Sequence, residues 1–188
     1  YAKGNWLIFT DDDCLPDLYW MSEIQNVIKN TGEETIALEG SILPVGDASV
    51  DMADCPVNNI GGCFWSANIA VIKKIFEEVE GFDENFPIAA FEDTDLYLRL
   101  QQRGKIEFLN KAKVFHPVRI ERLFTYLKKV PIRMNSWVYL RSKHEVYNNT
   151  SLQEIKRMLI ENSIVLKGNL SWKRKYFFSL TLIRLFIN

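Results

Sequence analysis

The sequence predicts an α/β fold, and three observations carry that expectation. Trp6-Leu7-Ile8-Phe9 is a short continuous apolar run that stops at Asp11-Asp12-Asp13, as a buried strand does where its carboxyl end opens onto a polar site. Further apolar runs of strand length alternate with segments at helical spacing. The 188 residues, 47% hydrophobic and 25% charged, suffice for one packed core with an appendage and are too few for two full-sized α/β domains. The same composition excludes a collagenous, disordered or low-complexity chain.

Taken in order, Pro16 and Asp17 open an expected helix that runs through Tyr19, Trp20, Ile24 and Ile28 and ends at Thr31-Gly32. A strand is expected over 35–41. Residues 43–62, rich in Gly, Pro, Asp and Asn, read as a long loop near the site and a candidate lid. A helix is expected from Ala67 to about Val79, followed by a turn at Gly81-Phe82-Asp83. From Asp93, the apolar residues Leu96, Leu100 and the stem of Arg103 fall at helical spacing, and Gly104 supplies a stop. Segments 105–109 and 112–115 read as two short strands leading to His116-Pro117.

Beyond Val118 the chain turns basic, aromatic and helical, with a break expected at Pro131. Ser151-Leu152-Gln153-Glu154 is a capping box, and Ile155, Met158, Leu159 and Leu166 outline an apolar face before Gly168. The expected division is therefore 1–118 and a helical extension over 119–188. Charge divides at the same place. Residues 1–118 carry 9 Lys and Arg against 20 Asp and Glu, and residues 119–188 carry 14 against 4. An acidic part can recruit a divalent cation, and a basic helical part can lie on an anionic membrane surface or simply attract the acidic part. Nucleic acid is not an expected partner, because the positive charge lies among aromatic and apolar residues and the strand-end site is acidic.

Cys14, Cys55 and Cys63 form neither a CxxC pair nor an even set, so they read as free thiols of a reducing compartment, and a cytoplasmic location is expected. The chain opens on Tyr1 with no signal-peptide pattern, and its natural start is expected to lie upstream. No run reaches the roughly 18 apolar residues of a membrane span. The closest, 176–187, is interrupted by Arg184 and preceded by Lys173, Arg174 and Lys175, which reads as an interfacial helix on the inner face of the plasma membrane. Two glycosylation sequons, at Asn148 and Asn169, read as chance matches.

Several residues carry chemistry. Three adjacent carboxylates repel one another unless a cation neutralises them, so Asp11, Asp12 and Asp13 point to Mn²⁺ or Mg²⁺, with a solvated acidic turn as the competing reading. Strand alternation would send Asp11 and Asp13 to one side and Asp12 to the other. Glu92-Asp93 stands at a helix start, where the helix dipole would keep Asp93 ionised as a general base, the alternative being an N-cap Asp beside an exposed Glu. His116 is a third metal ligand or a packed histidine, and His144 reads as surface. Gly61-Gly62 permits close backbone approach to a ligand or forms a plain turn.

As an ordered set these signals become specific. Phe9-Thr10-Asp11-Asp12-Asp13-Cys14-Leu15-Pro16, Ser66-Ala67-Asn68-Ile69-Ala70, Gly81 to Pro87, Glu92-Asp93-Thr94-Asp95-Leu96 with Arg99, and Val114-Phe115-His116-Pro117 together resemble the family 2 glycosyltransferases of the GT-A fold. The resemblance covers residues 1 to about 118. It implies a Rossmann-like mixed sheet that lacks its amino-terminal βαβ half, with that half and its uracil pocket upstream of Tyr1. It implies that Asp11 and Asp13 form a DxD element holding the metal on the diphosphate of a nucleotide-sugar donor, a UDP-sugar, with Asp13 as direct ligand. His116 is then a metal ligand, Asp93 the catalytic base, and Glu92 a residue that orients acceptor or donor sugar. Asp12, Gly62 and Asn68 fall on the donor side, Arg99 with Glu92 on the acceptor side, and Phe91 stands where many members have glycine. The implied reaction is inverting transfer of a hexose to a hydroxyl of a glycan or lipid-linked acceptor, as in building envelope polysaccharide. Two other readings remain open: an aspartyl-phosphate phosphatase with Asp11 as nucleophile, which the pattern matches only locally, and a non-catalytic binding or membrane-docking module.

Overall fold

The protein is described from a computed structural model over residues 2–32, 34–47 and 53–144. The capping box at Ser151, the apolar face through Leu166, the basic Lys173-Arg174-Lys175 group, the 176–187 run and both sequons lie outside those residues. The chain divides into two compact units, one formed by Tyr1–Val45 with Pro56–Pro117, the other by Gly46–Cys55 with the chain from Val118 onward.

The first unit is a mixed α/β fold. Its strands are β1 (Trp6–Phe9), β2 (Leu15–Pro16), β3 (Thr35–Val45), β5 (Ile69–Ile72) and β6 (Lys105–Pro117), in the spatial order β1-β5-β3-β6-β2. Only β3 and β6 run parallel, and the other neighbours are antiparallel. Its helices are α1 (Trp20–Asn30), α2 (Lys73–Glu78) and α3 (Glu92–Gln101). The first eight residues of β3 are all buried, which marks it as the strand covered on both faces. Trp20 and Ile24 of α1 pack with Leu38, Ile42, Ala70 and Val114, whereas Leu96 and Leu100 of α3 pack in a second cluster with Ile36, Phe64, Ile69 and Val71. Each fully buried aliphatic side chain in these clusters contributes about 1.5–3 kcal/mol.

Four elements differ from the sequence expectation. The first helix begins at Trp20 rather than Pro16, because Leu15-Pro16 is captured as an edge strand against Phe115 and Val114, a place where proline's missing N–H is tolerated. The segment read as one helix from Ala67 is a 3₁₀ turn (Ser66–Asn68), strand β5 and the short helix α2. The run Ile69-Ala70-Val71-Ile72, β-branched at three of its four positions, fits a strand that is paired on both sides, to β1 and to β3. The two strands expected before His116 are one strand, β6, with a register shift where Gly40 and Ser41 of β3 face Leu109 and Lys113. The expected loop from 43 is partly ordered: β3 continues to Val45, and Asn58 bridges back to Ile42.

The second unit pairs β4 (Ala53–Asp54) with β7 (Arg119–Ile120) and carries the long helix α4 (Leu123–Lys143). That helix passes through Pro131, where a break is expected, and so the Leu127 carbonyl loses its helical N–H donor. Ser136, Trp137 and Leu140 are buried, Arg141 stacks over the Trp137 ring at 4.7 Å, and Arg133 lies 3.9 Å from Asp54. No helix among the described residues is long and apolar enough to cross a membrane.

Candidate functional site

Strand β1 ends at Phe9, and the chain then turns, with the Cys14 N–H donating to the Asp11 carbonyl at 3.1 Å. This turn, not strand alternation, brings Asp11 and Asp13 to one side and leaves Asp12 exposed. The antiparallel register of β2 on β6 pairs Leu15 with Phe115, so the residue before one and the residue after the other, Cys14 and His116, come opposite each other. The outcome is a group of four, Asp11, Asp13, Cys14 and His116, whose ligand atoms all lie within 4.8 Å of one another.

His116 is 7% exposed, and its Nδ1 lies 2.9 Å from the Pro117 carbonyl. A carbonyl only accepts, so Nδ1 carries the hydrogen and Nε2 faces Asp13 Oδ1 at 3.6 Å. A ring nitrogen and a carboxylate oxygen that face each other in this way suit a cation between them. The donor set of carboxylates, imidazole and thiol fits a divalent first-row ion, and the imidazole fits Mn²⁺ better than Mg²⁺. Burial raises the Cys14 thiol pKa, with the charge of Asp11 and then Asp13 adding to the effect.

The second part of the site is the first turn of α3. Phe91, at its N-cap, has φ +73°, a conformation that favours glycine and costs an L-residue about 1–2 kcal/mol. That strain turns the chain directly into Glu92 and Asp93. Asp93 accepts the Thr94 N–H at 2.7 Å. Its pKa is nevertheless raised to about 7, first by burial and then by the charge of Glu92. The expectation that the helix dipole keeps Asp93 ionised is thus corrected, because desolvation and a like charge outweigh the dipole. Glu92 is raised mainly by burial, with the charge of Asp11 also raising it, and its Oε2 is buried without a hydrogen-bond partner. The two carboxylate groups therefore feel each other's charge. Glu92→Gln is expected to lower the Asp93 pKa from about 7 while leaving it above 3.8, as read by carboxyl NMR titration; an unchanged value would mean that burial alone sets it.

The remaining site residues of the sequence reading are engaged within the fold. Asn68 is 1% exposed; its amide donates to the carbonyls of Ser41 and Ala112 at 2.8 Å each and accepts from Trp20 Nε1 at 2.8 Å. A Cβ on Gly40 would run into that amide, so Gly40 and Asn68 form one structural unit. Arg99 donates from Nε to Asp95 at 2.8 Å, approaches it from Nη2 at 2.6 Å and donates to the Val79 carbonyl, which ties α3 to the end of α2. These contacts tie both side chains into the scaffold.

Gly62 belongs to an arrangement that the sequence reading missed. Glu39, 3% exposed in β3, accepts from Asn58 Nδ2 at 2.7 Å, Gly62 N–H at 2.7 Å, Cys63 N–H at 2.9 Å and the Phe64 N–H. Gly61, Gly62 and Phe64 all have positive φ, and Gly62 has open space around its Cα. Phe64 packs against Tyr97 of α3, ring centroids 5.5 Å apart, one turn beyond Asp93. The signal was present: a carboxylate interrupts the buried run Ile36-Ala37-Leu38 before Gly40.

Fold and site together define a mixed α/β unit with an oxygen, nitrogen and sulfur donor group beside a carboxylate pair of raised pKa. Comparison with protein-family models and with curated proteins finds no match for the chain.

Proposed function

We propose that this chain supplies the catalytic and acceptor portion of an inverting glycosyltransferase of the GT-A kind, moving a sugar from a nucleotide-diphosphate donor to a hydroxyl of a glycan or lipid-linked acceptor. The observation that supports this reading is the convergence of Asp11 and Asp13 with His116, over 100 residues away in sequence, into one group whose Asp11 charge reaches Glu92 of the Glu92-Asp93 pair. Mn²⁺ or Mg²⁺ held by Asp11, Asp13 and His116 would neutralise the charge that develops on the departing diphosphate. Asp93, with a pKa of about 7, is deprotonated in roughly half the molecules at neutral pH and takes the proton from the attacking hydroxyl. Glu92, whose buried Oε2 has no hydrogen-bond partner within the protein, would orient the acceptor or donor sugar. Attack from the Asp93 side, opposite the leaving diphosphate, inverts the anomeric centre.

The test is nucleotide release from UDP-, GDP- and dTDP-sugars by the natural polypeptide carrying these residues, first with Mn²⁺ and then with chelator. Release from one donor that chelator and Asp13→Ala both abolish is expected. Release that survives both would remove the metal from the mechanism, and none from any donor with a panel of acceptors would favour a binding module.

A further inference from the structure

We propose that Cys14 is a thiolate ligand in this site, so that Asp11, Asp13, Cys14 and His116 together bind a thiophilic divalent ion of the Zn²⁺ or Co²⁺ type in preference to Mg²⁺. The inference deepens the metal reading above and rests on it. Around one tetrahedral Zn²⁺ ion the ligand atoms stand about 3.3–3.7 Å apart, as bonds of about 2.0–2.3 Å at the tetrahedral angle require. The four ligand atoms lie within 4.8 Å of one another, so binding needs the widest pair to close by about 1 Å, which side-chain rotation supplies. They are delivered by two independent constraints, the hydrogen-bonded turn from Asp11 to Cys14 and the β2–β6 register that sets His116 against it.

The surroundings match those of a ligating group. His116 Nδ1 is tied to the Pro117 carbonyl, the kind of outer contact that orients a ligating imidazole. Cys14 is 8% exposed, which shields a metal–sulfur bond from bulk water. Binding replaces the thiol hydrogen with a metal–sulfur bond; the proton leaves to solvent and no electron changes hands. A site of this composition does not rank ions as an all-oxygen site does, because thiolate selects softer ions and Mg²⁺ does not take it.

The experiment is a titration of the natural polypeptide with Co²⁺ alone, under reducing anaerobic conditions, read by absorption. Thiolate ligation gives a sulfur-to-cobalt charge-transfer band in the near ultraviolet, whereas oxygen and nitrogen ligation gives only the visible bands. The expected result is a charge-transfer band that persists in a Cys55→Ser, Cys63→Ser double variant and disappears in Cys14→Ser, with the visible bands retained and Co²⁺ bound at least tenfold more weakly. The double variant keeps the test decisive if Cys14→Ser does not fold, since Cys14 is then the sole cysteine of the three. Visible bands with no charge-transfer band, or a charge-transfer band lost in the double variant, would overturn the ligand role of Cys14 and leave the metal reading standing. No Co²⁺ binding at all would overturn both.

Discussion

Replacing Asp93 with asparagine is expected to cut the proposed sugar transfer by orders of magnitude and, above neutral pH, to make the fold more stable. The two effects have one cause. The Asp93 carboxyl is raised from 3.8 to about 7 by burial and by Glu92, so between those values the folded chain holds a proton that the unfolded chain has released. Stability from this group is complete below about pH 4, declines as pH rises toward 7, and stays reduced above it. The full shift corresponds to about 4 kcal/mol, and solvent access to part of the side chain brings the expected penalty to about 2 kcal/mol. Asparagine has the same shape and no charge. Urea midpoints of parent and variant should coincide near pH 4 and separate by about 2 kcal/mol at pH 8, with the variant higher. Transfer should fall by about 100- to 10,000-fold, the span of a lost general base, and the parent rate should rise with pH through about 7. Coincident midpoints at pH 8 would mean that the site does not penalise the charge, and the catalytic argument from its pKa would go with them.

How much of this was legible without coordinates depended on whether the signal was local. The Trp6–Phe9 strand and the α3 helix from Glu92 are written in consecutive residues, and the Asp11-Asp12-Asp13 group sits after its strand as an apolar run meeting a polar stop demands. Ile69–Ile72 was misread because four apolar residues carry no period that separates a buried strand from a helical turn, and only pairing to β1 and β3 decides between them. Cys14 is a free thiol, as its sequence context implies, but its place opposite His116 is fixed by a two-residue edge strand, which no propensity announces. The motif puts Asn68 on the donor side, but it does not announce that its amide spans the sheet core, a role that depends on Gly40 far away in sequence. In the site, residue types were legible and partnerships were not.

Glu39 shows the same principle at its largest expected cost. Removal of its carboxylate by Glu39→Ala leaves the Gly62, Cys63 and Phe64 N–H groups and the Asn58 amide without their shared acceptor, in a place where Phe64 is fully buried. Breaking a buried charged network from one side costs about 3–5 kcal/mol, a large share of the stability of an ordinary domain. Glu39→Gln should cost less, because its carbonyl can replace one oxygen, although its NH₂ then faces a backbone N–H where an acceptor stood. The turn would loosen at Gly61, Gly62 and Phe64, whose positive φ values the bonds to Glu39 and Asn58 help to hold. Since Phe64 packs on Tyr97, one turn from Asp93, the damage should reach α3. Denaturation of Glu39→Ala, Asn58→Ala and the double variant distinguishes a network from separate contacts: the double variant should fall well short of the sum of the two single losses. A Glu39→Ala cost under about 1 kcal/mol, the scale of a single ordinary hydrogen bond, would show that solvent replaces the carboxylate and that the turn holds itself.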